Sequence, residues 1–181
     1  MSEPFLNDGW REAIATNNVA LIHRKIMRGD DINERNIITN QYHLSTPLQF
    51  AVIHKNKTIF KMLLAAKADV NIKHEAGWSA LHLAVVDNML LFVHILLKHG
   101  ADINTVHYYN QTPLYTAVTF DYHDMVRLLL DEGADASIVD KDGKQAIDYA
   151  KTDEMKRIFQ DYETEKILIR KQHMERDERN E

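Results

Sequence analysis

Ten histidines, a recurring set of aspartates and no cysteine are the reactive groups this chain offers. Histidine suits metal ligation and proton transfer, because its two ring nitrogens can take different roles near neutral pH. A metal row would place ligand-type side chains at repeated spacing. His82 fails that test, since its counterparts in the other repeats, Gln49, Tyr115 and Asp148, share no ligand chemistry. No HExxH, CxxC or GxSxG motif and no phosphate-cradling glycine loop occurs. Without cysteine, disulfide and thiolate chemistry are excluded, which fits a reducing compartment. The expectation is therefore a non-enzyme with no catalytic residue, no metal and no cofactor. The competing reading is a site in a groove built from His43, His54 or Asp87, to be decided by turnover or metal content.

Composition bounds the rest. With 181 residues, 45% hydrophobic and 27% charged, the chain suits one domain with a continuous core and a solvated outside. No apolar run reaches the roughly 18 residues that a membrane helix needs. The start, Met1 to Asp8, lacks the basic-then-apolar layout of a secretory leader. A net charge of −5 gives no reason to expect nucleic acid or an anionic membrane as partner. Together these predict an intracellular protein, cytoplasmic or nuclear.

The elements that must position any site follow from a repeat whose starts, Thr46, Ser79, Thr112 and Gln145, are equally spaced. Thr46-Pro47-Leu48-Gln49-Phe50-Ala51-Val52 returns at Ser79 to Val85, at Thr112 to Val118 and, more loosely, at Gln145 to Lys151. A second block keeps step: Leu63 to Asn71, Leu96 to Asn104 and Leu129 to Ser137. Such self-similarity predicts a solenoid, each unit burying its apolar face only against its neighbours. Thr46 and Thr112 suit helix capping, with Pro47 and Pro113 in the first turn where no N–H is needed. A break follows at Asn88 and Asp121, which tolerate a left-handed backbone. Second helices carry Ile59, Phe60, Leu63 and Leu64, with counterparts at Phe92, Val93, Leu96 and Leu97 and at Met125, Val126, Leu129 and Leu130. Gly100 and Gly133 end the latter two. Lys67 stands where those glycines stand, which predicts a left-handed lysine. Gly77, Asn110 and Gly143 recur just before each start and predict a short projecting hairpin.

The combined pattern of threonine-proline-leucine-histidine, paired leucines, glycine-alanine-aspartate and a valine- or isoleucine-asparagine pair resembles the ankyrin repeat family. The resemblance spans roughly residues 8 to 160 and implies an all-α repeat solenoid of helix-turn-helix units with projecting β-hairpin loops. The units fall near 8–40, 41–73, 74–106, 107–139 and 140–162, after a lead of 1–7 and before a charged helical extension or tail at 163–181. Unit one is degenerate: Asn33 to Thr46 is longer by five residues than Asn71 to Ser79 or Asn104 to Thr112, so the first hairpin is extended. Trp10 falls on the core phase. His82 resembles the family's structural histidine linking adjacent hairpins. Asn71 and Asn104 resemble hairpin asparagines, a class that includes sites modified by an asparaginyl hydroxylase.

The resemblance further implies a protein partner held by hairpin tips and first-helix ends on a concave face. By phase these are Tyr42, His43, Trp78, Tyr108 and Tyr109 at the tips and Asp87 and Phe120 at the helix ends. Tyr and Trp favour such sites because they bury large area at small entropic cost. The alternative for the aromatics is packing between hairpins. The functions implied are an adaptor or inhibitor, a pathogen effector or viral-type regulator sequestering a host signalling protein inside the host cell, or a structural subunit docking through its C-terminal helix. The chain alone is expected to be a monomer. Thr152-Asp153-Glu154 reads as the start of that helix, with Met155, Ile158, Phe159 and Tyr162 on one face and Ile167, Leu168 and Ile169 as its distal apolar residues.

Overall fold

Every regular unit starts with the same local device. The hydroxyls of Thr46, Ser79 and Thr112 accept from the backbone N–H three residues on, closing the first turn of helices α3 (Pro47–Ile53), α5 (Ala80–Val86) and α7 (Pro113–Thr119). In α3 and α5 the residue at the third helical position, Gln49 or His82, reaches back to the cap N–H and completes a capping box. Each helix is followed by a left-handed residue, Lys55, Asn88 or Asp121, at φ of 53°, 52° and 58°. The sequence pointed to the last two. Lys55 was missed because nothing in a lysine announces a positive φ, although its place one repeat before Asn88 does.

The second helices then pack against the first: α4 (Lys57–Ala65), α6 (Leu90–Lys98) and α8 (His123–Asp131). The computed structural model describes residues 9–35, 37–38 and 44–177. Ahead of the regular units stand α1 (Gly9–Ala15) and α2 (Val19–Arg28), and two-residue strands, β1 (Ile37–Ile38) and β2 (Leu44–Ser45), pair antiparallel across the extended first hairpin. The later hairpins are held by single turns, with one isolated bridge between Val139 and Gln145. At the far end the inner helix shrinks to a 3-10 turn, Ala146–Tyr149. Gln145-Ala146 there replaces Thr-Pro, and Ala150 turns extended, so the α-helix does not propagate. Helix α9 (Asp153–Asp177) closes that end and runs unbroken past residue 163. The chain is an all-α repeat solenoid.

Packing follows the period. Inner helices α1, α3, α5 and α7 stack directly on one another, and Ala51, Ala84 and Ala117, fully buried, let the backbones approach. Outer helices meet each other sparsely. The core runs from Trp10 and Ile14 through Leu48, Leu81 and Leu114 to Met155 and Phe159 without interruption. Lys25 lies 5.0 Å over the buried Trp10 ring.

Lys67 adopts φ 64°, in step with Gly100 at 84° and Gly133 at 92°. A Cβ in that region is strained, so Lys67→Gly is expected to raise stability by about 0.5–1 kcal/mol, read from the urea midpoint. A lower midpoint would count against the account.

Candidate functional site

The hairpins are positioned by a chain of side-chain hooks, built from the base outward. At each base an asparagine carbonyl accepts from the backbone N–H of the next unit's aspartate: Asn33 to Asp69 at 2.9 Å, Asn71 to Asp102 at 2.8 Å and Asn104 to Asp135 at 2.9 Å. Each aspartate then accepts from the N–H two residues on, at Asn71, Asn104 and Ser137. Asn71 also donates its amide to the Gly100 carbonyl at 3.0 Å. Both candidate hydroxylation residues, Asn71 and Asn104, thus hold neighbouring hairpins in register.

One level out, the loop is closed by bonds that recur in step with the repeat: His74 N–H to Trp78 carbonyl, His107 to Gln111 and Asp140 to Lys144. His74, His107 and Asp140 also accept from the N–H two residues on, at 3.0, 3.3 and 2.9 Å. Two histidines and an aspartate do one job, because each presents an acceptor atom at the same reach. Sequence reasoning missed this row. The signal was available in the equal spacing of His74, His107 and Asp140, but the residue types differ and conceal it. Asp140 additionally accepts from the Tyr149 hydroxyl at 2.6 Å, which pushes the Tyr149 phenol up and holds the Asp140 carboxyl low.

His82 ties the helix row to the hairpin row. It is fully buried, and its Nδ1 accepts from the Ser79 N–H at 3.3 Å and faces the Ser79 hydroxyl at 3.0 Å. An accepting Nδ1 places the proton on Nε2, which donates to the Gln111 carbonyl of the next hairpin at 3.3 Å. Gln49 does the same one unit earlier, donating to the carbonyls of Ile72 and Trp78. Burial pushes His82 down to about 3, against a weaker opposing pull from the Gln111 carbonyl. A neutral, doubly bonded His82 is a structural bridge.

The candidate partner-binding residues named from sequence divide by environment. Trp78 is half-buried and its ring stacks on His107 of the next hairpin, centroids 5.4 Å apart. Tyr108 and Tyr109 are each more than half exposed at the tip. Tyr108 donates its hydroxyl to the Glu75 carbonyl of the preceding hairpin, and Tyr109 is edge-on to His107 with Lys141 over its face at 5.3 Å. Phe120, also more than half exposed, ends α7 and stacks on Tyr122 at 5.6 Å. Asp87, one unit earlier at the same phase, is exposed and pairs with Lys55 at 3.2 Å. Tips and helix ends are separated by the length of one inner helix, about 10 Å at 1.5 Å of rise per residue. Tyr42 and His43 lie outside the described residues.

Chemically the face offers aromatic surface, single charges and hydrogen-bonding rims. Among the described residues no group of three His, Asp or Glu side chains is placed to hold a metal ion, and no helix is long and apolar enough to cross a membrane. A family model described as ankyrin repeats in three copies matches residues 12–107, and one described as ankyrin repeats in many copies matches residues 96–150. A search of curated proteins returns no match.

Proposed function

This chain belongs to the ankyrin repeat family, and from that premise we propose that it holds a folded protein partner on the face formed by its hairpin tips and inner-helix ends, acting as an adaptor or inhibitor by occupying the partner's surface. Ankyrin repeats generally mediate protein–protein interaction and are typically not enzymes. The observation that carries the reading is the exposure of Tyr108, Tyr109 and Phe120 on a scaffold whose hairpins are bonded each to its neighbour. Large exposed aromatics on a preorganised surface lose little entropy on binding. Asp87 and Lys55 supply a charged edge to the same surface. Trp78 supports the tips from below through His107.

The test is paired affinity capture from lysate with the native chain and a Tyr108/Tyr109/Phe120 triple alanine variant of unchanged melting temperature. The captured partner is then retitrated against purified protein. Loss of about 100-fold or more in affinity is expected, since two hot-spot aromatics account for that. A partner held equally by both chains would place binding elsewhere on the solenoid.

A further inference from the structure

The exposed tip tyrosines, Tyr108 and Tyr109, ride on the third hairpin, residues 105–111, and that loop is closed around one ring. His107 is half-buried; its Nδ1 accepts from the Tyr109 N–H at 3.3 Å, and its carbonyl accepts from the Asn110 N–H at 2.9 Å. Trp78 stacks on the ring, and His82 stands edge-on to it at 5.6 Å. The second and third hairpins approach closely here, since a Cβ on Gly77 would come within 3.3 Å of the His107 Cα and the Tyr108 nitrogen. His74 and Asp140 close their loops in the same way, but His74 is buried and Asp140 is a carboxylate already held low. Of the three, His107 alone combines an acceptor that titrates near neutral pH, access to water and exposed aromatics on its own loop.

The surroundings of the ring disfavour a positive charge. Lys73 of the second hairpin bonds the Val106 carbonyl at 2.8 Å, Lys141 of the fourth lies over the Tyr109 ring, and both cations act on His107. Glu75 is exposed and engages Tyr108 through its backbone carbonyl. Asp140 is occupied by the Asp142 and Lys144 N–H groups and the Tyr149 hydroxyl, while Asp142 and Lys144 are exposed on the fourth hairpin. His82, from α5, is held neutral by burial. Among the described residues no carboxylate forms an ion pair with His107. Burial holds the His107 imidazole low, the Gln111 side chain opposes this, and the two lysines add to it.

We infer that His107 is a proton-released latch on the tip that carries Tyr108 and Tyr109. A proton taken up at Nδ1 turns the acceptor into a donor aimed at the Tyr109 N–H and sets a further positive charge between Lys73 and Lys141. An open tip takes that proton in the ordinary histidine range, whereas the closed tip resists it, so opening is favoured as pH falls below about 6.5. Affinity for the partner then falls with acid, a consequence that rests on the tips being the partner-binding face.

The latch is tested first without a partner, by NMR of the full chain between about pH 7.5 and pH 5. His107→Asn is the control, because asparagine keeps an acceptor at short reach, as Asp140 does, and does not titrate. The ring signal it loses also assigns His107. In the native chain His107 is expected to titrate below the ordinary histidine range, with the Tyr108, Tyr109 and Asn110 amides moving along the same curve. In His107→Asn those amides are expected to stay still. The captured partner is then titrated at about pH 7.2 and pH 5.2, where the native chain is expected to lose about threefold or more in affinity beyond any loss in His107→Asn. His82 is common to both chains and cancels. Should the variant misfold by circular dichroism, the native tip amides and His107→Gln decide instead. Tip amides that ignore the His107 titration would overturn the latch. Tip amides that follow it, with equal affinity losses in both chains, would overturn its control of binding. Equal binding at pH 7.2 by the Tyr108/Tyr109/Phe120 alanine variant would show instead that the partner sits elsewhere.

Discussion

Acidification from pH 7 to pH 4.5 is expected to lower the melting temperature by roughly 5–10 °C, and His82→Gln to remove most of that loss. The bridge made by His82 needs an accepting Nδ1 and a donating Nε2. A proton on Nδ1 turns the acceptor into a donor aimed at the Ser79 N–H, inside a fully buried site. The unfolded chain takes up that proton near 6.5, while the folded chain resists it down to about 3. The unfolded state thus binds more protons across this window, so stability is full above pH 6.5 and falls steadily as pH drops toward 3. At pH 4.5 the expected loss is on the order of 3 kcal/mol. His107, also held low by burial, adds in the same direction. The carboxyls held low, Asp30, Asp135 and Asp140, act only at more acid pH and leave this window to the histidines. Glutamine is the apt replacement because Gln49 already performs both bonds one unit earlier, with its amide oxygen on Thr46 N–H and its nitrogen on the Trp78 carbonyl. A flat melting profile between pH 7 and 4.5, or an unchanged slope in His82→Gln, would sink the account.

The largest stability effect is expected from Phe60→Ala, about 3–5 kcal/mol in urea unfolding. Phe60 is fully buried in α4, and its ring meets Phe92 of α6 at 4.6 Å with planes tilted by 39°. That contact belongs to the boundary between units, where the outer helices have few others. Truncation leaves a cavity in one unit and removes an aromatic pair from the junction with the next. Because a solenoid's stability is a sum of unit and neighbour terms, the loss should fall on one junction. Hydrogen exchange is therefore expected to show α1 to α4 opening before α5 to α8 in the variant. Phe60→Leu, which keeps most of the volume, is expected to cost less than half as much. A loss under about 1 kcal/mol for the alanine would show that the junction collapses around the gap.

The period made most of the architecture legible, because helix caps, breaks and leucine pairs are set by local residue type and repeat in step. Thr46, Asn88, Asp121, Gly100 and the left-handed Lys67 all follow from residue type and phase. What escaped were features in which unlike residues do the same work. His74, His107 and Asp140 anchor three loops by one geometry, yet no shared residue type marks them. Lys55 takes a left-handed turn that its own chemistry does not suggest. For the face proposed to bind a partner, phase located Trp78, Tyr108, Tyr109 and Phe120 at tips and helix ends, but not which of them is covered. Trp78 is half-buried because its neighbour on the next hairpin is His107, a flat ring at stacking distance. That depends on the residue across the gap, which phase alone does not reveal.

The asparagine hooks have a direction, and the direction encodes a length. Asn33, Asn71 and Asn104 each hand an acceptor forward to the following unit, so every unit they reach is received by the one before it. At the next place in the series stands Ser137, whose hydroxyl turns back to Asp135 at 2.6 Å and, among the described residues, offers nothing forward. The array thus carries its own terminator, a single side chain too short to begin another round. Grafting a further repeat into this protein would call first for Ser137→Asn, and only then for new core residues to stack upon.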